Sequence, residues 1–130
     1  MKQDKTRAAE AFLLVVFWAV FIWALSSIPS YHIPKFKIPH IDKAVHLFEF
    51  FVFGFLIIRA ILKSTSKLEL AKMIIFAIIV SSLYAAVDEL HQYFTPGRTP
   101  DIVDFCFDFI GALAGTMCYY LIKRGTYAKD

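Results

Sequence analysis

Four stretches of this chain, 11–28, 44–62, 71–90 and 102–122, are apolar for close to the length that a bilayer demands. A hydrocarbon core about 30 Å thick takes roughly 20 residues of helix to cross. Within it every backbone N–H and C=O must be paired inside its own helix or in a closed barrel. Runs such as Phe12-Leu13-Leu14-Val15-Val16-Phe17-Trp18 show no alternation of polar and apolar residues, whereas barrel strands alternate over about ten residues. Helices are the consistent solution. The expected fold is therefore all-α, a polytopic membrane protein built as one compact bundle of four transmembrane helices over residues 1–130. Composition agrees, since 58% hydrophobic residues, 14 of them Phe, leave too little polar surface to cover a soluble globule of 130 residues. The first run, preceded by Lys2, Lys5 and Arg7 and carrying Ala24-Leu25-Ser26, has the outline of a secretory signal. It is too long for one and is expected to remain as an anchor.

Orientation follows from Lys and Arg, which concentrate on cytoplasmic loops. The N-terminal arm (Lys2, Lys5, Arg7), the second connection with its flanks (Arg59, Lys63, Lys67, Lys72) and the C-terminal tail (Lys123, Arg124, Lys129) together hold ten. The other side holds four, namely Lys35, Lys37, Lys43 and Arg98. Both termini are thus expected in the cytoplasm. The net charge of +3 is then a matter of topology and of anionic inner-leaflet lipid, with no nucleic-acid partner implied. Cys106 and Cys118 stand roughly 18 Å apart along one helix at 1.5 Å per residue, so they cannot pair with each other. Tyr119, Tyr120 and Tyr127 read as interfacial anchors.

Against this apolar background His46, Glu49, Asp88, Glu89, Arg98, Asp104 and Asp108 stand out, because ionisable residues in spanning segments are costly and usually functional. Under the expected topology they gather at the extracytoplasmic end of three helices. At 100° per residue Asp42, His46 and Glu49 form one stripe, Asp88 and Gln92 a second, and Asp101, Asp104 and Asp108 a third. The third continues into Gly111 and Gly115, a small-xxx-small pattern that lets helices approach closely. Its acids should therefore face the bundle interior. Two connections frame the cluster. One, with prolines at 29, 34 and 39 and with Tyr31 and Phe36 as anchors, is expected to lie extended on the outer interface. The other presents Arg98 on a Pro96-Gly97 turn, with Asp101 placed to cap the fourth helix.

These residues resemble the VanZ-like membrane proteins. The resemblance is carried by Asp42-Lys43 with His46 and Glu49, by Asp88-Glu89-Leu90-His91-Gln92-Tyr93-Phe94-Thr95-Pro96-Gly97-Arg98, and by Asp104 through Gly111 and Gly115, with Ser26-Ser27 before Pro29 closing the first helix. It spans essentially the whole chain. It implies a bacterial cytoplasmic-membrane protein of the cell envelope, associated with resistance to glycopeptide antibiotics, teicoplanin in particular, and it supplies no reaction. Asp108 stands where that family commonly carries Asn, and Phe50 where Tyr is common.

The residues support two main functions. In the first, the polar site binds an amphiphile, either an envelope lipid or lipid-linked precursor or a lipoglycopeptide antibiotic. Arg98 and Lys43 would hold its anionic group, with Asp42, Gln92, Asp101 and Asp108 completing the ligand-binding set and Phe-rich helices accepting the tail. In the second, the site is enzymatic, with Glu89 or Asp88 as general base, His46 as proton shuttle, and Glu49 and Asp104 as further catalytic acids. A metal-assisted version would draw on His46, Glu49, Glu89 and Asp104, ligand types for Zn²⁺ or Mn²⁺. A third account needs no ligand: Arg98 pairs with Asp101 or Asp104, His46 bonds Glu49 or Glu89, and the network fixes helix register. His32, His40 and His91 are read as interfacial or loop residues, and Ser81 and Ser82 as packing residues. Transport fits least, because the inner half of each helix lacks acids, unless the chain assembles into a homo-oligomer.

Overall fold

The computed structural model of the chain describes residues 2–33, 40–64 and 69–127. They form four long helices, α1 (Lys2–Ser26), α2 (Ile41–Ser64), α3 (Leu70–Tyr93) and α4 (Ile102–Tyr127), with a short 3₁₀ turn at Ser30–His32. Each helix is long and apolar enough to cross a membrane. The spans run a few residues past the apolar stretches, because polar first turns such as Asp42-Lys43 continue the helix once packed.

The burial pattern is the reverse of a soluble protein. Asp88, Asp108, Ser81 and Thr116 are among the largest fully buried side chains, while Phe17, Leu13, Leu83 and Ile102 are exposed. Large exposed apolar surface of this kind marks contact with a partner or with lipid, and here it runs the length of membrane-long helices. The apolar part of the interior is built around Phe50, Phe53, Ile57, Ile58, Met73 and Ala77. Tyr119, expected as an interfacial anchor, is instead buried with its ring edge-on to Phe55 at 4.9 Å. Its aromatic area fills the core between α2 and α4.

The closest helix pair is α2 with α4, and glycine makes it so. A methyl group added at Gly54 would strike the Ala112 backbone, one at Gly111 the Leu47 carbonyl, and one at Gly115 the Phe51 carbonyl. The small-residue stripe is therefore the contact surface with α2, and the absence of side chains lets the two backbones touch. Because Gly111 meets Leu47 and Gly115 meets Phe51, the two helices run parallel, both starting at the same end. At that end α1 and α3 finish.

The connections at this end are tied together. Ser30 N–H donates to the Pro96 carbonyl at 3.2 Å, and Arg98 N–H to the Thr95 carbonyl at 3.0 Å. The latter closes a turn with Pro96 at its second position and Gly97 at its third, where φ of +74° favours glycine. The described part of the first connection departs from the extended form expected of it at Ser30–His32, which closes a 3₁₀ turn through the His32 N–H to Pro29 carbonyl bond, and residues 34–39 lie outside the described residues. Lys35, Phe36, Lys37, Lys67 and Lys129 lie outside the described residues.

Candidate functional site

At the end where α2 and α4 begin, helix dipoles favour negative charge, and each of these helices carries an acid in its first turn, Asp42 and Asp104. Asp101 precedes α4 as its cap, with Oδ1 accepting from the Val103 N–H at 2.8 Å. Lys43 would be misplaced alone at a helix N-terminus. Three carboxylates hold it: its ammonium bonds Asp101 at 2.8 Å and Asp104 at 2.5 Å and stands 3.3 Å from Asp42. The Lys43 ammonium holds the Asp101 carboxyl below the usual aspartate range, helped by the Val103 amide. Lys43 is thus committed to acids of the protein and is absent from the lining of the cavity described below.

One turn further in, His46 Nδ1 and Asp108 Oδ1 share a hydrogen bond of 3.0 Å in the buried interior. The register account placed His46 on Glu49 or Glu89. The glycine contacts bring α4 nearer, and Asp108 lies three residues before Gly111 where His46 lies one before Leu47. Glu89 on α3 is buried and accepts the Asp101 backbone N–H at 2.8 Å. Asp88 is fully buried, with Oδ2 accepting from Ser26 at 2.8 Å and from Gln92 at 3.1 Å. Glu49 is buried with Oε1 unpartnered, its backbone carbonyl accepting from Trp18 Nε1 at 2.8 Å. Arg98 forms no ion pair with Asp101 or Asp104 among the described residues. Its guanidinium donates to the Ile28 and Leu25 carbonyls at 3.3 and 3.4 Å, capping the open end of α1.

The sequence pattern gave no site role to Ser26, whose hydroxyl reaches Asp88, or to Thr95, whose Oγ1 donates to the Ser26 carbonyl at 3.2 Å. A serine closing an apolar span level with an acid on another span is the signal that was there to find. Of the three histidines read as bystanders, His91 stacks on Trp23 at 3.8 Å and bonds Ser27, while His32 lines the cavity. Ser81 and Ser82 donate to the carbonyls of Ala77 and Ile78 one turn back, as packing residues do. Cys106 and Cys118 are free.

Two empty volumes meet at this site. A cavity of about 320 Å³ is bordered by Ser26, Asp42, His46, Glu49, Gln92 and Arg98, under the 3₁₀ turn at His32. Beside it an apolar groove of about 370 Å³ runs between α1 and α2 along Trp18, Phe21, Ala44 and Phe48. Leu25, Ile41, Val45 and Glu49 line both. Polar groups converging at one end of an otherwise apolar concavity are the common pattern of a small-molecule site.

Among the metal-ligand types of the described residues, His46, Glu89 and Asp108 are the ones that converge, each offering an atom within 4.8 Å of the others and all three buried. Glu49 and Asp104 stand outside that trio, and Asp108 takes the place they were expected to fill.

Fold and site together define a four-helix membrane protein with an acidic, histidine-bearing chamber at one end of its bundle. The family model described as VanZ/LLP1 matches residues 2–123, and the chain belongs to that family. No curated protein and no solved structure matches it.

Proposed function

We infer that this protein binds an amphiphile, with the headgroup in the polar cavity and the acyl chain in the groove between α1 and α2. The observation that carries the reading is the shared border of the two volumes at Leu25, Ile41, Val45 and Glu49. One molecule with a polar head and an apolar tail has the parts to occupy both. The chemistry of the lining favours a zwitterionic head: Arg98 offers donors to a phosphate or carboxylate, while Glu49 and Asp42 face the same space and suit an ammonium. Envelope phospholipids with an amine, and acylated glycopeptides such as teicoplanin, carry that combination. The distribution of Lys and Arg supports a bacterial cytoplasmic membrane with both termini inside and the cavity facing out. A role in glycopeptide resistance follows if the protein sequesters or screens such molecules at the outer leaflet.

Native mass spectrometry of protein extracted in mild detergent tests this. A co-purifying amphiphile is expected on the wild type, reduced by Val45→Trp, which fills the shared border, and by Glu49→Gln. Titration of nanodisc-embedded protein with teicoplanin then separates antibiotic from lipid. No retained amphiphile and no saturable titration would sink the reading.

A further inference from the structure

We propose that His46, Glu89 and Asp108 form a site for one divalent transition-metal ion of the Zn²⁺ or Mn²⁺ type, bound through one imidazole nitrogen and two carboxylates. The proposal goes beyond amphiphile binding and holds whether or not the cavity is filled.

Three features point to a cation. Donor atoms about 2.1 Å from a common ion stand about 3–4 Å apart, and the three side chains already offer atoms within 4.8 Å of one another. Next, Glu89 Oε1 and Asp108 Oδ2 are buried and meet no hydrogen-bond donor, in residues 8% and 0% exposed. A carboxylate oxygen shut away without a partner is costly. The chamber is also short of positive charge: Glu49, Asp88, Glu89 and Asp108 are all buried there, Lys43 is taken by Asp42, Asp101 and Asp104, and Arg98, at the cavity border, bonds α1 carbonyls. A dication beside His46 supplies what the side chains do not.

The scaffold suits the task. The three side chains come from α2, α3 and α4, and the glycine contacts fix the spacing of α2 and α4. The backbone N–H of Asp101 orients Glu89 by bonding its other oxygen, as outer hydrogen bonds commonly do for ligating carboxylates. An imidazole with two carboxylates suits Zn²⁺ or Mn²⁺, whereas Mg²⁺ and Ca²⁺ prefer oxygen alone. Because His46 lines the cavity, a bound ion would stand at its inner wall, beside any phosphate or carboxylate held there.

The test uses purified full-length protein, stripped with a chelator and titrated with Zn²⁺ and with Co²⁺ as a spectroscopic substitute. Expected are one equivalent per chain, a rise in Tm on adding Zn²⁺ that EDTA reverses, and visible Co²⁺ bands distinct from the aqueous ion. Glu89→Gln and Asp108→Asn should weaken binding at least about tenfold and alter or abolish the bands, while Glu69→Gln, an exposed pair partner of Lys72, should leave them unchanged. Where a chamber variant fails to fold, the wild-type titration decides alone. Absence of stoichiometric Zn²⁺ and Co²⁺ uptake overturns the site, as does uptake that persists in folded Glu89→Gln and Asp108→Asn.

Discussion

His46 and Asp108 meet across α2 and α4 at 3.0 Å, with side chains only 7% and 0% exposed. A buried ionisable pair is asymmetric in its energetics: removing one partner strands the other, while removing both can be nearly neutral. With chelator present, His46→Leu or Asp108→Leu alone should lower stability by about 3–5 kcal/mol, and the double variant should recover most of that. Equilibrium unfolding in detergent, read by circular dichroism, measures the cycle. A double variant as unstable as the sum of the singles would mean that the two residues act independently.

The parallel contact of α2 and α4 gives a sharper packing prediction. Gly115→Ala pushes a methyl group into the Phe51 carbonyl, so the helices must separate or the backbone must bend. Overpacking of this kind typically costs about 1–3 kcal/mol. The neighbouring Ala114 is exposed, and Ala114→Leu should change stability little. If Gly115→Ala proves neutral in thermal unfolding, the backbones are further apart than described.

Much of this arrangement was legible in the sequence, and the parts that were not have identifiable causes. Helix number and type follow from segment length and the ban on unpaired backbone in lipid, which local apolarity reports directly. The helical stripes placed Asp104, Asp108, Gly111 and Gly115 on one face, and that face is the one against α2. The partner of His46 was not legible, because Glu49, Glu89 and Asp108 sit at similar depths and only the α2–α4 distance chooses among them. The roles of Lys43 and Arg98 exchanged for a related reason. Lys43 was read as holding a ligand's anion, and Arg98 as doing so too or as pairing with Asp101 or Asp104; it is Lys43 that sits opposite the α4 acids, while Arg98 borders the cavity and bonds the carbonyls that end α1. Such choices depend on rotations and offsets between helices, which a stripe pattern leaves open.

Acid should loosen this end of the bundle through Asp101. It faces Lys43, which also holds Asp42 and Asp104, and its backbone amide bonds Glu89. Since Lys43 depresses the Asp101 pKa, the associated stability is complete above the ordinary aspartate value of about 3.9 and is lost as pH falls through the lower folded value. Asp101→Asn keeps a good helix cap while removing the charge. The wild type should be the more stable of the two at pH 7, with the gap closing only below about pH 4. A gap that closes between pH 5 and 7 would assign the effect to another group.

Membrane orientation is open to direct chemical test. With both termini inside, Thr99, exposed in the connection between α3 and α4, faces outward. Thr99→Cys in a background lacking Cys106 and Cys118 should react with a membrane-impermeant maleimide added to intact cells. A cysteine at Glu69, between α2 and α3, should react only after lysis. The opposite pattern would invert the protein and place the chamber at the inner leaflet, where an antibiotic acting from outside could not reach it.

Arg98 allows structural and ligand roles to be separated. Its bonds to the Leu25 and Ile28 carbonyls are long and partly exposed, so their loss in Arg98→Ala should cost only about 0.5–1.5 kcal/mol. A phosphate or carboxylate held by a guanidinium loses more, because the planar fork gives two aligned charged donors that no other side chain reproduces. Arg98→Lys retains the charge without the fork. Amphiphile retention and any protection against teicoplanin should therefore fall severely in Arg98→Ala and partially in Arg98→Lys, while Tm shifts by only a few degrees in either. Retention that tracks Tm across the two variants would make Arg98 a cap for α1 and nothing more.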